Sequence, residues 1–250
     1  MDEKVCYNFN VNGFDIKAEY FRTDIENIFI PLMKRLGGIR RLAGRRLVVF
    51  LAGPPGCGKT TLSLYLEKLA LDETPGFRVQ AAGIDGFHYS REYLEGRFVN
   101  RGGVEIPMRE VRGSAETYDF EKLTAKLEAL SGGGVYWPVY DRNVHDPVDD
   151  AGFIDGDIVI IEGNWLLLDE PGWRDLKKYC GYGVFVESDA EALFERLVGR
   201  KVAGGLGRGE AENFVKKSDF ANIKRARERR LGCDLILELS AEGRYRVVPV

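Results

Sequence analysis

The chain is predicted to fold as an α/β protein, three layers deep, with helices on both faces of a mainly parallel central sheet. Three observations predict this. From residue 47 onward, apolar strand-like runs alternate with helical stretches, the pattern of successive βαβ units. One of the strand-to-helix junctions, Gly53-Pro54-Pro55-Gly56-Cys57-Gly58-Lys59-Thr60, spells G-x-x-x-x-G-K-T between an apolar run and a helix. The length of 250 residues, 44% hydrophobic and 30% charged, suits one large α/β domain with a small appendage.

The elements follow in order. Val5, Tyr7, Phe9 and Val11 alternate with polar residues, Asn12-Gly13 intervenes, and Phe14, Ile16, Ala18 and Tyr20 alternate again. Alternation on both sides of Asn-Gly predicts a β-hairpin. Thr23 or Asp24 is placed to cap a helix reaching about Arg41, which Pro31 should kink or break. Leu47 to Leu51 is the first core strand and the segment carrying Leu62, Leu66 and Leu69 its helix. Phe77 to Ile84 reads as the second core strand. Residues 90–118 are polar and glycine-rich and are expected to be irregular. Asp119 caps a helix to Leu130, and Val135 to Tyr140, Asp157 to Ile161 and Tyr182 to Glu187 read as strands. Asp189 opens a further helix. Residues 199–217 carry glycines and basic groups and are expected to form a mobile lid. A basic helix from Asp219 and two terminal strands, Leu235 to Leu237 and Tyr245 to Val248, complete the chain. The division that results is an N-terminal hairpin and helix, 1–44, packed on a domain of residues 45–250.

The glycine loop carries the first chemistry. Its glycines let the backbone wrap a polyphosphate with N–H groups pointing inward at a helix N-terminus. Lys59 would reach the β- and γ-phosphates, and the Thr60 hydroxyl would bind Mg²⁺. The fold is therefore expected to be a P-loop NTPase with ATP and Mg²⁺ as cofactors. Cys57 lies beside Lys59 at the helix start, a setting that favours a thiolate and predicts redox sensitivity. Ligands of parallel α/β sheets bind at the carboxyl ends of strands. Asp85 and Glu162 sit at two such ends, each followed by glycine, which is expected to leave room for a ligand. A carboxylate there can deprotonate an acceptor hydroxyl or hold a metal ion.

Asp85-Gly86-Phe87-His88-Tyr89, Ala115-Glu116-Thr117-Tyr118-Asp119, Pro138-Val139-Tyr140-Asp141-Arg142 and Ile161-Glu162-Gly163-Asn164-Trp165 carry a family resemblance. Together with the loop they resemble the uridine kinase, pantothenate kinase and phosphoribulokinase superfamily, in particular a bacterial branch described as fructokinase-like or nucleoside-kinase-like. The likeness runs from about Arg45 to Leu237, and the N-terminal hairpin and helix also resemble that branch. The resemblance implies an ATP-dependent kinase acting on a hydroxyl of a sugar or a nucleoside such as uridine. A pantothenate-type acceptor, or a regulatory ATPase that transfers nothing, stands as the alternative. It implies catalytic roles for Asp85, Lys59, Glu162 and Arg200. Nucleotide contacts fall to residues 53–60 with Thr61, Arg196 and Arg200, and more weakly to Arg208. Substrate contacts fall to Asp85, Phe87, His88, Tyr89, Tyr140, Arg142, Glu162, Asn164 and Trp165. Metal contacts fall to Thr60, Asp85 and Glu162. Relatives often have serine in place of Cys57, and the connector 96–112 is longer than in uridine kinases.

Charge and composition narrow the partners. A net charge of −3 disfavours nucleic acid. No apolar run approaches transmembrane length and the N-terminus lacks an apolar h-region, so neither a membrane nor a signal peptide is expected. Four widely spaced cysteines and two histidines suggest reduced thiols in the cytoplasm rather than a zinc site. The expected partner is the small-molecule acceptor, with a homodimer left open. Leu130-Ser131-Gly132-Gly133-Gly134 imitates the signature of ABC transporter ATPases, but it precedes a strand and reads as a helix end. A GTPase would need an Asn-Lys-x-Asp motif, which the sequence lacks.

Overall fold

A computed structural model describes residues 2–11, 14–141 and 143–250. The chain enters as an antiparallel pair, β1 (Lys4–Val11) and β2 (Phe14–Phe21), in register from Lys4 opposite Phe21 to Val11 opposite Phe14. The expected Asn12-Gly13 turn lies outside the described residues. A helical stretch follows as α1 (Arg22–Asp24), a π-helical turn (Ile25–Phe29) and α2 (Ile30–Ala43). Pro31 does not break it. The wider π turn ends just before the proline, which falls in the first turn of α2, where its missing N–H costs little. The expected cap at Thr23 or Asp24 is not made. Asp24 is buried and accepts a hydrogen bond from the Tyr245 N–H at 2.9 Å instead.

The rest of the chain runs β3 (Leu47–Ala52), α3 (Lys59–Glu73), β4 (Val79–Gly83), α4 (Arg91–Leu94), β5 (Phe98–Arg101), β6 (Val104–Pro107), α5 (Phe120–Ala129), β7 (Val135–Asp141), β8 (Asp146–Ile154), β9 (Ile158–Gly163), β10 (Tyr182–Ser188), α6 (Ala190–Ala203), α7 (Arg208–Phe214), α8 (Phe220–Glu228), β11 (Leu235–Leu239) and β12 (Tyr245–Val248). The central sheet has the order β12-β11-β10-β3-β9-β4. All its pairs are parallel except β11 with β12. The chain leaves β3 for the far edge at β4, returns to β9, then crosses β3 to β10. That reversal makes the carboxyl end of β3 a topological switch point, where such sheets bind ligands.

Alternation along each strand divides the apolar residues into two cores. Leu47, Val49 and Leu51, Ile158 and Ile160, and Tyr182, Val184 and Val186 pack beneath α2, α3 and α6. Phe50, Val159, Ile161 and Phe185 face the other way, onto Leu123, Leu127, Trp165 and Trp173. The N-terminal hairpin joins the first core through aromatic rings. Tyr20 stacks on Tyr65 at 4.2 Å between centroids, and Phe29 meets both Tyr65 and Tyr245 edge-on, at 5.6 and 5.1 Å. No helix among the described residues is long and apolar enough to cross a membrane.

Three segments differ from the sequence expectation. Residues 90–118 are not merely irregular, because β5 and β6 form a hairpin there. Its two-residue loop, Gly102-Gly103, has φ of +62° and +89°, the left-handed geometry that a tight hairpin turn requires. The run Val135–Asp141 is a strand, but it belongs to no ladder of the central sheet. It pairs with β8, which its acidic sequence Asp146-Pro147-Val148-Asp149-Asp150 conceals. The segment 199–217 is largely helical rather than a loop, since α6 runs on to Ala203 and α7 follows after a short glycine turn.

Candidate active site

The loop between β3 and α3 is held from both sides. A Cβ on Gly53 would stand 2.3 Å from the Val186 carbonyl oxygen of β10, and one on Gly56 would press on Leu197 of α6 at 3.0 Å. The backbone therefore lies flat against its neighbours and turns its other side outward as a cradle. Lys59 is buried, and its Nζ donates to the Pro54 carbonyl at 2.9 Å and to Asn164 Oδ1 at 2.8 Å. It also donates to Cys57 Sγ at 3.7 Å, and no carboxylate among the described residues lies within ion-pair distance, so the ammonium is positioned by neutral groups. Thr60 Oγ1 donates to Glu162 Oε1 at 2.8 Å, and Thr61 Oγ1 to the Gly58 carbonyl at 2.9 Å. Pro54 is buried and Pro55 half-buried. Cys57 corrects the sequence reading. Its thiol is fully buried, and burial pushes its pKa up against the pull of Lys59. It supports the loop from inside and is not a thiolate poised for reagents.

The strand register sets the two carboxylates. Glu162 lies opposite Leu51 of β3 and Gly83 of β4, at the carboxyl ends of all three strands. A Cβ on Gly83 would stand 3.1 Å from Glu162 Oε1, so the glycine clears space for this side chain. Burial pushes the Glu162 pKa up to about 7, with the Asp85 charge adding to it and Lys59, Thr60 and Arg200 opposing. Asp85 begins a 3₁₀ turn just after β4, and its Oδ1 accepts from the Tyr118 hydroxyl at 3.3 Å. Burial, reinforced by Asp85, holds the Tyr118 pKa well above the usual phenol range, so it stays a donor. The glycines after the two carboxylates do not leave room for a ligand. A Cβ on Gly86 would meet the Pro138 carbonyl oxygen at 2.2 Å, and one on Gly163 would meet Ile84 at 2.4 Å. They permit close packing that fixes the carboxylates.

The predicted acceptor residues divide into wall and support. His88 lies tilted against Tyr118 at 3.8 Å, meets Tyr140 edge-on at 6.2 Å, and has Nδ1 3.2 Å from the Thr117 carbonyl. Its burial lowers its pKa, which keeps the ring neutral. Tyr89 is half-buried and stacks on Tyr93 at 3.9 Å. Phe87 and Trp165 have no exposed surface. Phe87 packs edge-on against Trp137, and Trp165 Nε1 donates to the Gly113 carbonyl at 3.0 Å, so both brace the wall from behind. Arg142 lies outside the described residues. Arg196 and Arg200 are one turn apart on α6. Arg196 donates to Ser188 Oγ at 3.3 Å and to the Ser240 carbonyl at 3.4 Å. Arg200 lies near enough to Glu162 and Tyr118 to lower the pKa of each. Arg208 points away into exposed ion pairs with Glu195 and Glu212. Sequence reasoning quoted Tyr118 without assigning it a role; its place between Asp85 and His88 appears only when the 3₁₀ turn before α5 folds back on the strand end.

The residues fit a nucleotide and a metal ion. The cradle backed against Val186 and Leu197, with an unneutralised buried lysine, is the donor set that a polyphosphate requires. Among the described residues no group of three or more His, Cys, Asp or Glu could cage a metal. Thr60 and Glu162 offer one hydroxyl and one carboxylate, the sparse oxygen set that suits Mg²⁺ held jointly with phosphates.

Comparison with known proteins agrees with this construction. The profile of an AAA domain family matches residues 49–214. The chain is 40% identical over 94% of its length to "Uncharacterized protein YggC" of Escherichia coli K12, covering 96% of that protein. It is 30% identical over 78% of its length to a Schizosaccharomyces pombe protein named "Putative uridine kinase", covering 83% of it. Among solved structures, one described as a "putative fructose transport system kinase" from Silicibacter superposes with a TM-score of 0.73 at 32% identity, covering 83% of this chain and 98% of that one. With these likenesses, the glycine loop and the 3₁₀-turn aspartate near a strand-end glutamate, the chain belongs to the P-loop kinase family that its putative uridine kinase relative represents.

Proposed function

We propose that the protein transfers the γ-phosphoryl group of ATP to a hydroxyl of a small polar metabolite, a sugar or a nucleoside. The observation that carries this reading is the pair of carboxylates at adjacent strand ends, Asp85 and Glu162. One is engaged by a buried phenol and the other by the threonine that follows the loop lysine. MgATP would supply the transferable group and spread its developing negative charge. Lys59 leaves its neutral partners to bind the β- and γ-phosphates, while the loop N–H groups hold the chain of phosphates in line. Arg200, on the exposed face of α6, adds positive charge where the transferred group passes. Asp85 accepts the hydroxyl proton, and the Tyr118 hydroxyl fixes which way its carboxylate points. Thr60 and Glu162 hold the cation. Action in the cytoplasm fits the four free cysteines.

An ADP-release screen over sugars, polyols, nucleosides and pantothenate tests the reading. Release that depends on one acceptor class supports transfer and names the class. Release that is the same with and without every acceptor would overturn transfer in favour of a nucleotide-dependent regulator.

A further inference from the structure

The N-terminal hairpin brings a tyrosine to the underside of the phosphate loop. Tyr20, near the end of β2, is buried, and its ring lies nearly parallel to that of Tyr65, 4.2 Å away. Tyr65 follows Thr61 by four residues in α3, so the two share one face of the helix. Tyr245 of β12 completes the group, its ring centre 6.2 Å from that of Tyr20. The Tyr245 hydroxyl and Thr61 Oγ1 lie 3.6 and 3.8 Å from where a side chain on Gly58 would begin. Tyr20 therefore stands under the join between the glycine loop and α3.

Packing does not account for two oxygens in this group. The hydroxyls of Tyr20 and Tyr65 are buried with no hydrogen-bond partner among the described residues. Phenylalanine would fill the same space without that cost, so each hydroxyl calls for a use. Their surroundings differ. Burial raises the Tyr20 pKa above the usual phenol range and Thr61 opposes it, whereas the neighbours of Tyr65, namely Tyr7, Tyr20 and Glu73, only add to its rise. Tyr20 stays protonated and has a hydrogen to give. Thr61 gives its own hydrogen to the Gly58 carbonyl at 2.9 Å, which leaves lone pairs on its oxygen to accept another.

We propose that Tyr20 is a positioning residue of the nucleotide site: with phosphates in the loop, its hydroxyl donates to Thr61 Oγ1 and fixes the first turn of α3 beneath them. The inference rests on the glycine loop as a nucleotide site and is independent of the acceptor. The N–H groups that open a helix are the ones a phosphate meets, so the setting of that turn bears directly on affinity. The new bond also gives a buried hydroxyl the partner it otherwise lacks, and that gain is realised only when nucleotide binds. The hairpin, remote from the reacting carboxylates, thereby takes part in the grip on the phosphates.

Calorimetric titration with a non-hydrolysable MgATP analogue, read together with thermal unfolding of the protein alone, tests this. Tyr20→Phe should weaken the analogue about three- to tenfold, the effect of one net hydrogen bond. It should leave the unfolding temperature level or raise it, because a buried unpaired hydroxyl is removed. Tyr65→Phe removes the other such hydroxyl from the same stack and should keep affinity within about twofold of the parent, since no bond to the loop is lost. Thr61→Ala should weaken binding by itself, and adding Tyr20→Phe to it should cost nothing further. Parent-like affinity in Tyr20→Phe overturns the proposal. So does weakening that comes with a lower unfolding temperature, equal weakening by Tyr65→Phe, or a further loss in the Thr61→Ala background. No acceptor takes part, so a negative ADP-release screen leaves this result standing, and failure here leaves phosphoryl transfer untouched. An analogue that does not bind the parent protein removes the nucleotide site and the proposal together.

Discussion

The phosphate loop hangs from the end of a strand buried between two parallel neighbours, whereas the residues proposed for the acceptor lie on the 3₁₀ turn after β4, just before α5 and at the end of β7, outside the ladders of the central sheet. The nucleotide half is short in sequence: residues 53–61 supply the cradle, the lysine and both hydroxyls. The proposed acceptor half gathers Asp85, His88, Tyr118 and Tyr140 from three separate segments. It is fastened to the sheet at a few points. Trp137 Nε1 donates to the Gly83 carbonyl at 2.8 Å, the Gln80 side chain accepts from the Asp155 and Gly156 N–H groups at 2.8 and 2.6 Å, and Gly86 lies against the Pro138 backbone. The first half is fixed by layers that any change would disturb. The second is a surface built on top of those layers, so its side chains are free to differ without altering how phosphates are held. Chemistry common to all acceptors should therefore map to the loop and strand ends, and choice of acceptor to the turn after β4, the segment before α5 and β7.

The contrast is open to attack in order of effect. Asp85→Asn should lower kcat by about 10²–10⁴-fold with little change in ATP affinity, because it keeps shape and removes basicity; a variant with more than half the parent kcat would take the base away from this residue. Lys59→Ala should lower transfer by about 10²–10³-fold and raise the ATP KM, equally for every acceptor. Steady-state kinetics with two different acceptors checks that equality, and a loss confined to one acceptor would erase the boundary between the halves. Mg²⁺ affinity should weaken by up to about tenfold per pH unit below about 7, where Glu162 takes up a proton that must leave before it can ligate, and should level off above that pH. Glu162→Gln should bind Mg²⁺ weakly with no such pH step, read by calorimetry; a step that persists would belong to another group. Tyr118→Phe should reduce kcat by about tenfold while leaving ATP KM alone, since it removes one hydrogen bond to a charged partner. Comparable loss of nucleotide binding in this variant would show that the wall also shapes the cradle.

The same division explains what could be read from the residues alone. The loop is a contiguous string whose geometry is local, and the core strands are uniformly apolar runs, so sheet, loop and both strand-end carboxylates were legible. Burial was not. Cys57 looks reactive beside Lys59 until β10 and α6 are seen to enclose it, and Trp165 looks like a pocket wall until its indole is found facing Gly113. Nor was long-range pairing. β8 begins with three aspartates and a proline among its first five residues, a poor strand by composition, and it is a strand because β7 supplies its hydrogen bonds. Gly102-Gly103 between Val99 and Val104 was the one local signal for the β5–β6 hairpin.

The last strand has a bearing on how the protein comes into being. Tyr245 packs on Phe29 at 5.1 Å, its backbone N–H is bound by Asp24, and its hydroxyl lies 3.6 Å from where a side chain on Gly58 would begin. The loop that grips phosphates is therefore translated nearly two hundred residues before one of its own supports. During synthesis the ribosome exposes the glycine loop, then β9 and β10 on either side of β3, and only at the end the ring that steadies the base of the loop. A nascent chain arrested before residue 245 would carry the whole phosphate motif without the ring that packs on Phe29 and lies beside the base of the loop.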